Sequence, residues 1–123
     1  MKLINARPSP FGRKVAIALL EKGIEFETIW DEPWGNETCV AEHNPLAQLP
    51  ILITDDGETL FESTYILEWI ERRFPEPPLL PSDDDGILHA KKLMVVAEGV
   101  LTAWISASME LRRGSPSEAW LAR

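Results

Sequence analysis

Leu3 and Ile4 form a short apolar run that Arg7-Pro8-Ser9-Pro10 cuts off, which predicts a brief strand followed by a tight loop. The apolar period then changes. Phe11, Val15, Ala18 and Leu19 fall on one helical face, with Ser9 as a preferred N-cap and Pro10 at the first helical position, its φ already set. Lys22-Gly23 closes that helix with a left-handed cap. Ile24, Phe26, Thr28 and Trp30 alternate with Glu25, Glu27 and Ile29, the pattern of a strand with one face on a core. Strand, helix and strand in this order make a βαβ unit with a right-handed crossover.

Asn36 to His43 reads as a short helix ended by Asn44-Pro45. Ile51 to Ile53, the Asp56-Gly57 turn signal and Thr59-Leu60-Phe61 predict a hairpin. Ser63 then reads as the cap of a helix whose Ile66, Leu67, Ile70 and Phe74 form an apolar stripe, and Pro75 stops it. The proline-rich run from Phe74 to Pro81 ends the alternation of strands and helices, so a domain boundary is placed there. Ser82, with Asp83, Asp84 and Asp85 at the favourable end of the dipole, caps a long helix through Ile87, Ala90, Met94, Ala97, Leu101, Trp104 and Ser108 to Leu111. Ser115-Pro116-Ser117-Glu118 reads as a capping box that opens a further helix. So short a helix is marginal by itself, so residues 87–123 read as the front of a longer helical domain. Residues 1–75 form the first domain and residues 76–86 a Pro- and Asp-rich linker.

With 45% hydrophobic and 26% charged residues the chain suits a compact, soluble domain. Its net charge of −8 argues against nucleic acid or an anionic membrane as the main partner, because phosphate binding needs clustered Lys and Arg. The most apolar run, Leu93 to Met109, contains Glu98 and small polar residues and is read as too short for a membrane span. No apolar segment of a signal peptide precedes Lys14. Cys39 is the single cysteine, which fits a reducing, cytoplasmic setting. His43 and His89 have no metal-ligand spacing with each other or with Cys39, so no metal is expected.

Two places carry candidate chemistry. Pro50 has no N–H for a ladder, so it either marks the start of a strand or leaves the amide and carbonyl of Leu49 facing a groove that suits a peptide-like ligand. Ser9 caps its helix and also offers a hydroxyl at the positive end of the dipole. Cys39 sits near Glu37 and Glu42, and negative neighbours do not activate a thiol.

The order of elements, β-α-β-α-β-β-α followed by a truncated all-α domain, resembles an α/β thioredoxin-like fold. Ser9-Pro10-Phe11-Gly12-Arg13-Lys14-Val15, Glu21-Lys22-Gly23-Ile24, Asn44-Pro45-Leu46 leading to Leu49-Pro50, and Phe61-Glu62-Ser63 with Ile66 and Trp69-Ile70 resemble the glutathione S-transferase superfamily, in particular its small bacterial serine-type members. That resemblance implies glutathione as cosubstrate and no metal. It implies that Pro50 is cis, that Leu49 pairs by backbone with the cysteinyl part, that Glu62 meets the γ-glutamyl ammonium and Ser63 its carboxylate, and that Gln48 reaches the glycyl end. It makes Ser9 the hydroxyl that holds the thiol as thiolate for attack on a small hydrophobic electrophile, or for reduction of a peroxide or disulfide. Phe11 and Arg13 are accessory candidates, Arg13 either adding positive potential or standing as a solvated surface residue. Trp34 either lines the electrophile pocket or covers the domain edge, and Trp104 is core or part of the face of a homodimer. The stretch from Glu62-Ser63 to Leu79 also resembles the stringent-starvation proteins, which use this fold to associate with RNA polymerase, so a non-catalytic adaptor is the alternative.

Overall fold

The computed structural model describes residues 1–32, 34–35 and 37–122. Their contacts divide into two compact units, Met1–Leu79 and Leu80–Arg123.

The first unit is built on a four-stranded sheet of β1 (Lys2–Asn5), β2 (Glu27–Trp30), β3 (Ile51–Ile53) and β4 (Thr59–Phe61), in the order β2-β1-β3-β4. β1 runs parallel to β2 and antiparallel to β3, and β3 pairs antiparallel with β4 as a hairpin. Helices α1 (Pro10–Glu21), α2 (Val40–His43) and α3 (Ser63–Arg73) complete it. Leu3 and Leu52 point to one face of the sheet and pack with Val15 and Leu19 of α1 and Ile66 and Ile70 of α3. Ile4 and Ile51 point to the other face and pack with Val40 of α2. The sheet is therefore covered on both faces, as in other α/β arrangements.

That double cover corrects the single-faced reading of the second strand. Ile24 and Phe26 pack on the larger cluster without strand structure, because the Ile24 N–H is taken by the Leu19 carbonyl at the end of α1. Ile29 packs against Ile4, Val40 and Ile51, and Trp30 stands 52% exposed at the sheet edge.

Several caps also fall elsewhere than expected. Glu62, not Ser63, is the N-cap of α3, and Phe74 lies beyond its end as C-cap, edge-on to Trp69 at 6.0 Å. The helix expected over 36–43 is reduced to Val40–His43, and Asn36 lies outside the described residues.

In the second unit α4 (Asp84–Leu111) is the long helix, and α5 (Glu118–Leu121) is a single turn. Asp83 replaces Ser82 as the cap of α4, its carboxylate accepting from the Gly86 N–H at 2.8 Å. Ser117 replaces Ser115 as the cap of α5, because its own N–H is held at 2.8 Å by the buried Glu110 carboxylate. Leu93, Val96, Val100, Trp104 and Leu111 lie exposed along one stripe of α4. The run read as too short for a membrane belongs to a helix of 28 residues in which an 18-residue stretch has a mean hydropathy of 1.3, long and apolar enough to cross one by length and composition.

Candidate functional site

The sheet register brings the candidate residues to one end. Ile4 lies opposite Ile51, and Ile51 opposite Phe61, so the segments after β1, before β3 and after β4 leave the sheet together. These segments carry Ser9, Gln48-Leu49-Pro50 and Glu62-Ser63 respectively.

After β1 the chain turns at once, the Ser9 N–H donating to the Ala6 carbonyl at 3.0 Å. Ser9 is extended and half-buried, and its Oγ accepts from the Gly12 N–H at 3.1 Å. The Oγ serves there as acceptor, which leaves the hydroxyl proton to be donated. Phe11 lies half-buried and Arg13 exposed in the first turn of α1, Arg13 with no carboxylate partner among the described residues.

Ahead of β3, Pro50 is fully buried, Leu49 half-buried and Gln48 exposed. The Leu49–Pro50 peptide is cis. Among the described residues nothing hydrogen-bonds the N–H or C=O of Leu49, and Pro50 stands directly before the first residue of β3, so it marks the start of a strand and has an unpaired neighbour as well.

At the start of α3, Glu62 has φ +69° and ψ 117°, a conformation that L residues rarely hold and that costs on the order of 1–3 kcal/mol. Its carboxylate accepts from the Thr64 and Tyr65 N–H groups at 3.0 and 3.1 Å and from Ser63 Oγ at 3.4 Å. Two of the N–H groups at the start of α3 are thus occupied by the protein itself. The Ser63 N–H remains unpaired among the described residues, on a residue only 4% exposed. Trp34 is 59% exposed in a turn after β2 and Trp104 62% exposed on α4.

Cys39 stands apart from this chemistry. Its Sγ lies 3.1 Å from Asp31 Oδ2, and its N–H donates to the same oxygen at 2.9 Å. Donation to that carboxylate, with burial and the negative charge adding to it, holds the Cys39 thiol above its ordinary range. Burial pushes the Asp31 carboxyl up, but the hydrogen bonds from Cys39 and Thr38 outweigh it and leave it below the usual carboxylate range. The neighbour that counts is Asp31, eight residues away, rather than Glu37. No metal-binding group of three His, Cys, Asp or Glu residues is found among the described residues.

Two residues at this end were not singled out from sequence. Arg7 lies 5.0 Å above the Trp30 ring, a contact made by the parallel register and carrying no local signal. Asn5 is 5% exposed and its Oδ1 has no partner among the described residues. A glycine in the first turn of a helix, where alanine would be worth about 1 kcal/mol more, was the available signal for a close neighbour such as Asn5.

The layered sheet with its proline-headed strand defines a thioredoxin-like domain. A family profile for the N-terminal domain of glutathione S-transferases matches residues 8–73, and the chain belongs to that family. The uncharacterized GST-like protein YibF of Escherichia coli (strain K12) is 39% identical over 97% of this chain and 59% of its own length. A stringent starvation protein A homolog of Pasteurella multocida (strain Pm70) is 37% identical over 66% of this chain and 38% of its own. A crystal structure of a glutathione S-transferase from Methylobacterium radiotolerans JCM 2831 in complex with glutathione sulfonate superposes with a TM-score of 0.96 at 46% identity, covering 99% of this chain and 58% of that one. The chain thus spans well under two thirds of the length of each of these relatives.

Proposed function

We propose that this chain binds glutathione along the sheet end and that Ser9 holds its thiol as thiolate for transfer to a small hydrophobic electrophile, or for reduction of a peroxide or disulfide. The observation that carries the reading is the Ser9 hydroxyl, which accepts from Gly12 and keeps its proton at the start of α1. The glutathione sulfonate bound by the similar Methylobacterium enzyme supports it. A hydrogen bond to a charged group is worth about 1.5–3 kcal/mol, roughly one to two pKa units, enough to turn a thiol of pKa near 8.5 into a substantially ionised one at neutral pH.

In this reading the unpaired Leu49 backbone beside Pro50 takes the cysteinyl unit and exposed Gln48 takes the glycyl end. The Ser63 N–H and hydroxyl receive the γ-glutamyl carboxylate. Glu62, already bound to two helix N–H groups, receives the ammonium on its remaining lone pairs. Phe11, Arg13 and Trp34 stand as accessory residues, and a cytoplasmic homodimer using the exposed α4 stripe belongs to the same reading.

The test is thermal unfolding as reduced glutathione is raised, with Ser9→Ala and Ser63→Ala alongside. At a hundredfold excess over Kd the wild type gains about 2.7 kcal/mol, and Ser63→Ala abolishes the gain. Ser9→Ala retains binding and loses conjugation. A cooperative transition with no shift would instead support the second reading, an adaptor that docks on a protein partner, favoured by the likeness to the stringent starvation protein A homolog.

A further inference from the structure

The peptide that joins Gln48 to Leu49 is held from one side. Its carbonyl accepts a 2.8 Å hydrogen bond from Asn44 Nδ2. Asn44 is 1% exposed, its Oδ1 accepts from the Leu46 N–H at 2.9 Å, and its backbone carbonyl accepts from the Ala47 N–H at 2.8 Å. One buried carboxamide is therefore the centre around which residues 44–48 wrap, with Ala47 at φ 51° in the left-handed region. The Gln48–Leu49 peptide is not among the cis bonds of the described residues, and in a trans peptide plane the C=O and N–H point in opposite directions. Drawing the Gln48 carbonyl onto the buried Asn44 amide thus turns the Leu49 N–H away from it, where it has no partner among the described residues.

We propose that Asn44 is a positioning residue that aims the Leu49 N–H at the cysteinyl backbone of glutathione, an inference that rests on the reading of this edge as a glutathione site. The side chain must give one hydrogen bond to a carbonyl and take one from an N–H while staying uncharged in a buried place. Asparagine does both. Aspartate has the same shape, but its second oxygen faces the Gln48 carbonyl with no proton to donate.

The experiment compares the wild type with Asn44→Asp by calorimetric titration of glutathione and by the thiolate absorbance of the bound thiol as pH is varied. Losing the aimed amide weakens glutathione roughly tenfold and moves the bound thiol pKa back toward the free value of about 8.5. A variant with a lower Tm but unchanged affinity and thiol pKa overturns the proposal, since a purely structural asparagine would do that. Hydrogen exchange of the wild-type Leu49 amide decides the case in which the variant does not fold. It exchanges freely without ligand and is protected when glutathione binds, whereas protection in the free protein overturns the proposal. A wild type that binds no glutathione, with Leu49 freely exchanging, defeats the functional reading and with it the target of the aimed amide.

Discussion

A Cβ added to Gly12 would lie 1.8 Å from Asn5 Oδ1, so the carboxamide at the end of β1 occupies the space of the side chain that Gly12 lacks. Gly12 is also the residue whose N–H holds Ser9 Oγ. The strand end, the helix start and the candidate thiol-activating hydroxyl are thus set by one contact. Gly12→Ala is expected to destabilise the fold by about 1–3 kcal/mol through overpacking. Asn5→Gly, which opens the space, should recover much of that loss in the double variant. Urea denaturation of the four proteins measures the coupling, and simple additivity would show that the two residues do not share the space.

The Lys22 side chain reaches no solvent, yet every donor of its amine has a partner. Its Nζ lies 2.8 Å from Glu71 Oε2 and donates to the Phe74 and Pro77 carbonyls at 2.7 and 2.8 Å, while Glu71 Oε1 accepts from the Leu79 N–H at 3.0 Å. The end of α1 is in this way tied to the end of α3 and to the segment that follows it. Lys22→Met removes a partner from a largely buried carboxylate and from two carbonyls, and is expected to cost about 3 kcal/mol. A denaturant midpoint equal to the wild type would mean that water replaces the amine without loss.

Cys39 should be a slow nucleophile. Because donation to Asp31 raises its folded pKa above the unfolded one, the stability it contributes is present below the unfolded pKa and is lost as pH rises through the folded value. The iodoacetamide rate of the folded protein should therefore keep climbing beyond the pH of about 8.5 at which an ordinary thiol is half ionised. Asp31→Asn should raise the rate near pH 8. Equal rates in the two proteins would remove Asp31 as the cause.

Ser9→Ala separates capping from chemistry. Loss of the Gly12 bond is expected to cost about 1 kcal/mol of stability. The thiol of bound glutathione should at the same time rise by roughly one to two pKa units. Ser9→Gly restores most of the cap without the hydroxyl, so its stability should recover while the thiol pKa stays high. A thiol pKa unmoved in both variants would leave Ser9 as a helix cap.

What the sequence determined by itself is the set of elements with a local cause. Ser9-Pro10 starts α1, Asp56-Gly57 turns the hairpin and the three- to four-residue spacing from Ile87 onward makes α4, because caps, turns and periodicity act between residues close in the chain. The α/β thioredoxin-like arrangement and the family likeness were legible for the same reason. Cap positions went astray where a distant or neighbouring carboxylate competed, as Glu110 does for the Ser117 N–H and Glu62 for the start of α3. Only the tertiary structure decided the contacts between residues far apart in sequence. Ile29 packs on the face of the sheet that α2 covers while Trp30 stands exposed at the sheet edge, Asp31 rather than Glu37 sets the Cys39 thiol, and Asn5 lies against Gly12. Packing on both faces of a sheet, and the direction of a single buried amide, depend on what the whole fold brings together, and no local pattern of residues encodes them.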